Sequence, residues 1–223
     1  MKLLELFSGT GSVGTVASAL GWTVVSLDLK GADINCDILQ WKYKTYPVKY
    51  FDMIHASPPC IEYSRAKTVG VRKIDEANLI VLKTLEIINY FNPRIWLIEN
   101  PQSGLLKEQE FMKGLPYFDI DYWKYGFNYR KRTRLWTNLD TWTPRPLCKK
   151  DCDSMDGNRH KETAQRLPSK TKADWGDNPV FHSQTDLYKI PQELVEEILN
   201  AVNVVCFRYL RLATEILRLE VGF

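Results

Sequence analysis

What this sequence lacks narrows it first. None of its 223 residues belong to an apolar run of about 18, the length a membrane-spanning helix needs, so no transmembrane segment is expected. The apolar start, MKLLELFSGTG, breaks too early for the core of a secretory signal. Cysteine is scarce: Cys36, Cys60, Cys148, Cys152 and Cys206 make an odd count of five, widely spread. That argues against a disulfide framework and for a soluble protein of a reducing, cytoplasmic compartment. Neither sign of charge dominates. The 30 Lys and Arg against 27 Asp and Glu leave a formal +3, compatible with a nucleic-acid partner without pointing to one. Internal repeats and low-complexity tracts are absent.

The length fits one domain with a sizeable core. Lys2 to Phe7 reads as a strand, closed by Ser8-Gly9-Thr10-Gly11-Ser12. Val13 to Leu20 reads as a small-residue helix stopped by Gly21, and Trp22 to Leu27 as a second strand ending at Asp28. Strand, glycine turn, helix, strand and acid open a nucleotide-binding α/β fold. The glycines let backbone approach a ligand, the helix offers free N–H groups, and the acid can accept from ribose hydroxyls. Gly9, Gly11 and Gly14 match GxGxxG, and Asp37-Ile38 adds an acid where a third strand should end. Together these suit an adenosyl ligand, without choosing between NAD and S-adenosylmethionine. The plainer alternative for each acid is a turn or cap residue.

The central stretch is DMIHASPPCIEYS, residues 52 to 64. Met53 to Ala56 has the length of a buried strand, and Pro58-Pro59 forces the chain out of the sheet. Cys60 is thereby expected at the mouth, where open α/β sheets hold ligands. A polar, basic loop follows, with Lys67, Arg72 and Lys73 as candidate phosphate contacts, then a helix from Asp75 to Tyr90. Arg94 to Ile98 is another buried strand, ending in Glu99-Asn100-Pro101. Tyr117 to Lys124 alternates, with Phe118, Ile120 and Tyr122 opposite Asp119 and Asp121. In the RKRTR run that follows, Arg132 and Arg134 fall on one side of a strand.

Residues 141 to 179 lack apolar periodicity. A Zn²⁺ site from Cys148, Cys152 and His160, with His182 as a further candidate, is one reading of this stretch. Reduced surface cysteines are the other. Ile190-Pro191-Gln192 begins a helix whose stripe, Leu194, Val195, Ile198, Leu199 and Val202, should pack on the sheet. The run from Asn203 to Phe223 is amphipathic.

A thiol and a carboxylate at neighbouring strand ends, beside an adenosyl site and paired arginines, suit one chemistry. Carbon 5 of cytosine is not nucleophilic until a thiolate adds to carbon 6. That addition needs a thiol of depressed pKa, an acid at ring N3 and a cation at O2. Cys60, Glu99 and Arg134 are the right types.

The sequence resembles the cytosine-5 DNA methyltransferases. LLELFSGTGS looks like their first motif, SPPCIEYS their Pro-Cys motif, IENP their Glu-Asn motif, RKRTR their Gln-x-Arg-x-Arg motif and IPQELVEEI their last. The resemblance implies a doubly wound, Rossmann-like α/β fold for S-adenosylmethionine-dependent methyl transfer. It implies a catalytic domain at 1–138, a short irregular target-recognition insert at 139–187, and a C-terminal segment at 188–223 packing back on it. It implies Cys60 as nucleophile, Glu99 at N3, and Arg132 and Arg134 on the target base. Phe7, Ser8, Gly9, Thr10 and Gly11, then Asp28, Leu29, Asp37, Ile38 and Pro58, would hold the cofactor. Ser64, Arg65 and Asn100 would touch substrate. The partner would be double-stranded DNA with its cytosine flipped out. Arg130 stands where the family has Gln, Pro101 where it has Val, and the family's Arg-x-Leu motif before the last helix is not found. The short insert suggests a short, relaxed or partner-selected target. Three other readings stay open: an RNA cytosine-5 methyltransferase, a catalytically silent S-adenosylmethionine- or nucleic-acid-binding module, and an NAD oxidoreductase.

Overall fold

The computed structural model describes residues 1–157, 159–162, 164 and 182–205. Cys206 and the amphipathic run beyond it lie outside the described residues, as do residues 165–181.

Seven strands form one sheet: β1 (Lys2–Leu6), β2 (Thr23–Asp28), β3 (Ile34–Asn35), β4 (Met53–Ala56), β5 (Ile95–Pro101), β6 (Tyr117–Asp121) and β7 (Arg132–Thr137). Their order is β3-β2-β1-β4-β5-β7-β6. The first five are parallel, and β7 runs antiparallel to β5 and β6. A two-stranded hairpin, β8 (Met155–Asp156) and β9 (Arg159–His160), lies in the insert.

The central strands are mostly apolar because helices cover both faces; the buried exceptions are Glu5, His55, Glu99 and Asn100. Leu3, Met53, Leu97 and Leu135 pack with Val13, Val16 and Ala17 of α1 (Ser12–Ala19). The same cluster takes Leu194, Val195, Ile198, Leu199 and Val202 of α4, residues 192–205. That whole predicted stripe is buried against the sheet. The alternate residues Leu4, Ile54, Ile98 and Trp136 pack with Val81, Ile87, Ile88 and Phe91 of α2 (Ile74–Phe91). Each such side chain contributes about 1.5–3 kcal/mol on burial. A short helix, α3 (Gln184–Tyr188), precedes α4. Arg145 ties the root of the insert to α4, bonding Glu193 and Glu197 at 2.7 Å each. Among the described residues, no helix is long and apolar enough to cross a membrane.

The abundant aromatics have a structural use. Tyr43, Tyr46, Tyr50 and Phe51, which precede β4, form a cluster of tilted and edge-to-face rings with Phe91, the last residue of α2. β5 runs longer than the sequence suggests, through Glu99, Asn100 and Pro101, because β7 pairs with those residues.

Candidate active site

Strand order reverses between β1 and β4, and a cleft of about 1110 Å³ opens there at the carboxyl ends of the parallel strands. On its β1–β2 side lie Phe7, Ser8, Gly9, Thr10, Asp28 and Leu29, with Asp37, Ile38 and Pro58 continuing the wall. Gly11 stands just outside the lining and begins α1 in the left-handed region (φ 65°), which glycine adopts without strain. Asp28 Oδ2 accepts the Gly9 N–H at 2.9 Å and its Oδ1 accepts the Leu29 N–H at 2.7 Å. The acid thus holds the glycine turn against the end of β2.

Glu5 was not singled out by sequence. Its carboxylate accepts the Val13 N–H and the Gly14 N–H at 3.1 Å each. A buried strand residue therefore caps α1, which has no side-chain cap of its own. A Cβ at Gly14 would stand 2.5 Å from Glu5 Oε2, so the third glycine of GxGxxG makes room for this acid. Burial pushes the Glu5 carboxyl up to about 7; the two N–H bonds oppose that shift and nearby Asp28 adds to it.

Across the cleft, Cys60 follows β4 and Glu99 lies near the end of the adjacent parallel strand β5, and both line it. Asn100 Nδ2 donates to the Pro58 carbonyl at 2.9 Å, stitching β5 to the proline turn that presents Cys60. Asn100 is buried, so its observed contact is with the turn. Glu99 Oε1 accepts from the Tyr122 hydroxyl at 3.0 Å and lies 4.0 Å from Lys131 Nζ. Lys131 also donates to the Leu187 carbonyl at 2.9 Å and sits over the Tyr122 ring. Burial, then the Glu99 charge, pushes the Cys60 thiol up, and Lys131 pulls it down. The depressed thiol that addition chemistry wants is therefore not built in by the protein alone.

Arg134 does not join this group. Leu135 pairs with Glu99 in the β5–β7 register and Arg134 pairs with Asn100, and the Arg134 guanidinium lies outside the cleft lining. There it makes two bonds to Asp119, at 2.7 and 2.9 Å, and stacks on the Tyr117 ring. Arg132 does line the cleft, directly opposite buried Asp121, and donates to the Cys148 carbonyl at 3.2 Å. Arg130 Nε reaches the same Asp121 at 3.2 Å. The alternating arginines of β7 are thus matched by alternating acids on β6.

Ser64 lines the cleft, whereas Arg65 lies outside the lining, paired with Glu108 and donating to the Ser103 carbonyl. The expected phosphate contacts have partners too. Arg72 donates to the carbonyls of Glu62, Ser64 and Lys67, Lys67 pairs with Glu62, and Lys73 pairs with Glu76. The basic loop is folded on itself by its own cations. His55, also missed, is buried on the cleft wall; burial lowers it to about 4, leaving it neutral at ordinary pH. In the insert, Cys148, Cys152 and His160 come together, whereas His182 lies against Glu162 at 3.2 Å and Tyr129.

A doubly wound α/β sheet with a glycine turn, a thiol and a carboxylate around one switch-point cleft defines a nucleotide-type transferase architecture. No family model matches the chain. Over 174 residues it is 35% identical to the "Probable DNA (cytosine-5)-methyltransferase" of Frog virus 3 (isolate Goorha), covering 71% of this chain and 80% of that protein. Among solved structures, a "putative DNA modification methyltransferase encoded within prophage Cp" from E. coli has a TM-score of 0.49 at 15% identity over 80% of this chain. The S. pombe Dnmt2 methyltransferase has 0.48 at 17% over 65%. The chain spans 58% and 53% of those two structures. On the viral relative, the chain belongs to the cytosine-5 DNA methyltransferase family.

Proposed function

We propose that this protein transfers a methyl group from S-adenosylmethionine to carbon 5 of cytosine in double-stranded DNA, through a covalent Cys60 adduct on a flipped base. The observation that carries this reading is that Cys60 and Glu99 face the same cleft as the glycine turn. The β1–β2 side fits an adenosyl donor. Left-handed Gly9 and Gly11 allow close approach, Asp28 and Asp37 offer carboxylates for hydroxyl and amino groups, and Ile38 gives an apolar wall. When bound, the donor supplies an electrophilic methyl group to carbon 5.

The chain's own residues do the rest. Cys60 Sγ forms a bond to carbon 6, and the ring electrons move toward N3 and carbon 5. A proton shared between Glu99 and N3 stabilises that charge and cancels the carboxylate that holds the thiol up. Tyr122, whose hydroxyl burial and Glu99 keep protonated, fixes the Glu99 rotamer. Lys131 is the cation beside Glu99, and we assign it the counter-charge for the ring oxygen. After methylation, solvent takes the proton from carbon 5, the electron pair of that bond re-forms the 5,6 double bond, and the carbon–sulfur bond breaks to release the thiolate. Arg132 and the insert lie at the mouth of the cleft, where the flipped nucleotide and its neighbours would enter.

The test is incubation with methyl-labelled S-adenosylmethionine and a mixture of DNA and RNA, followed by mapping of modified cytosines. Label at carbon 5 of DNA cytosine, lost in Cys60→Ser, is expected. Label confined to RNA assigns the RNA reading, and no label from the wild type with intact donor binding assigns the silent-module reading.

A further inference from the structure

We propose that Cys148, Cys152 and His160 bind a zinc ion that fastens the insert to the catalytic domain. Their ligand atoms form a compact triangle: the two Sγ atoms are 3.7 Å apart, and His160 Nε2 is 3.3 Å from Cys148 Sγ and 3.8 Å from Cys152 Sγ. Tetrahedral zinc with ordinary Zn–S and Zn–N bonds puts sulfurs about 3.8 Å apart and sulfur and nitrogen about 3.5 Å apart. The triangle therefore has the dimensions of a coordination shell. Both cysteines are free.

The local chain is built to bring these atoms together. Lys150 turns in the left-handed region (φ 67°), which swings the chain from Cys148 back to Cys152. Its backbone N–H donates to Cys148 Sγ at 3.4 Å, which fixes that sulfur within the turn. The β8–β9 hairpin then returns His160, closed by the Lys161 N–H on the Ser154 carbonyl at 2.8 Å. Cys148 and His160 are buried, and the His160 ring packs edge-on to Trp123 of the catalytic domain at 5.4 Å. A metal here would cross-link the Cys148–Cys152 turn to the β8–β9 hairpin. Two thiolates and an imidazole are soft and borderline ligands that suit zinc above magnesium or calcium. Half-buried Cys152 leaves the fourth corner to water.

This site stands apart from the methyl-transfer cleft and does not depend on that reading. Its link to the cleft is one bond: the Cys148 carbonyl accepts from Arg132 Nη2.

The decisive measurement is elemental analysis of the full chain, purified without chelator from zinc-supplemented cells. About one zinc per chain is expected, the stoichiometry of a single Cys₂His site. Cys148→Ser and His160→Ala should lose it, and Cys36→Ser should keep it. Cobalt exchanged into the wild type should give sulfur-to-metal charge-transfer absorption. If the ligand variants do not fold, the wild type decides. Stripping by chelator should lower Tm, and zinc should restore it. A folded wild type that carries no zinc, takes none up on titration and melts unchanged would overturn the proposal. So would a protein lighter by two hydrogens, with Cys148 and Cys152 joined in a disulfide.

Discussion

Tyr122 and Glu99 share a hydrogen bond of 3.0 Å in the buried floor of the cleft, and the tyrosine donates. One carboxylate oxygen is therefore occupied by the protein; in the proposed mechanism the other meets the ring nitrogen. The bond also binds the last turn after β6 to the end of β5. Glu99 and its neighbour Lys131 act on the Cys60 thiol in opposite directions.

The first prediction concerns that charge. Glu99 holds the Cys60 thiol up and Lys131 pulls it down. In the protein without ligands, Glu99→Gln should make Cys60 alkylate faster at a fixed pH near neutral, and Lys131→Met should make it slower. Iodoacetamide labelling read by mass spectrometry gives both rates. Methyl transfer should nevertheless fall in Glu99→Gln by about two to four orders of magnitude, the usual worth of a positioned acid. Equal labelling rates in all three proteins would refute the coupling.

A second prediction separates Lys131 from Arg134. The Arg134–Asp119 pair is largely buried and doubly bonded. Arg134→Ala should cost about 1.5–3 kcal/mol of stability, as for lost hydrogen bonds to a charged group. The folded fraction should keep a nearly normal kcat. Lys131→Met should do the reverse, with Tm held and kcat reduced. Urea denaturation beside single-turnover methylation distinguishes them; a folded Arg134→Ala with no chemistry returns the role to the arginine.

Much of this was legible in the chain. Pro58, Pro101 and Gly9 mark where strands hand over to turns, and Cys60, Glu99 and the Gly9 turn line one cleft. Register was not legible. Whether Arg134 or Leu135 lies opposite Glu99 depends on how β7 slides along β5, and a shift by one residue reverses every side chain. Alternation placed Asp119 and Asp121 on one face but not their partners, which are Arg134 and Arg132 across the strand. Glu5 was hidden because a lone acid in an apolar strand has no sequence partner. Its partners are backbone N–H groups of the next element.

Gly14→Ala gives a third prediction. The new methyl group would meet Glu5 Oε2 at 2.5 Å and Val24 Cγ1 at 3.1 Å. The carboxylate must move, and α1 loses its cap. Stability should fall by about 1–3 kcal/mol, the usual cost of overpacking. Donor affinity should fall with it, because the glycine turn hangs on the start of α1. Calorimetric titration with S-adenosylhomocysteine checks the affinity; unchanged binding and Tm would mean that Glu5 yields without cost.

Glu5 also sets a pH dependence with a definite sign. Its carboxyl rises from an ordinary 4.5 to about 7 on folding, chiefly through burial. The folded state therefore binds more protons than the unfolded chain between those values. The stabilisation is fully present below about 4.5 and is lost as pH rises through about 7. A shift of this size corresponds to about 3 kcal/mol. Carboxylates such as Asp186, beside Ser183 and Lys189, are shifted down and act in the opposite direction, at lower pH. The two effects separate by window: acid loss below about pH 4 belongs to such exposed pairs, and a decline from about pH 5 to 7.5 belongs to Glu5. Glu5→Gln cannot ionise. Its Tm should be lower than the wild type's at about pH 5 and should stay level across that upper window, where the wild type declines. A wild-type Tm that stays level across the window, as the variant's should, would show that folding does not raise the Glu5 carboxyl.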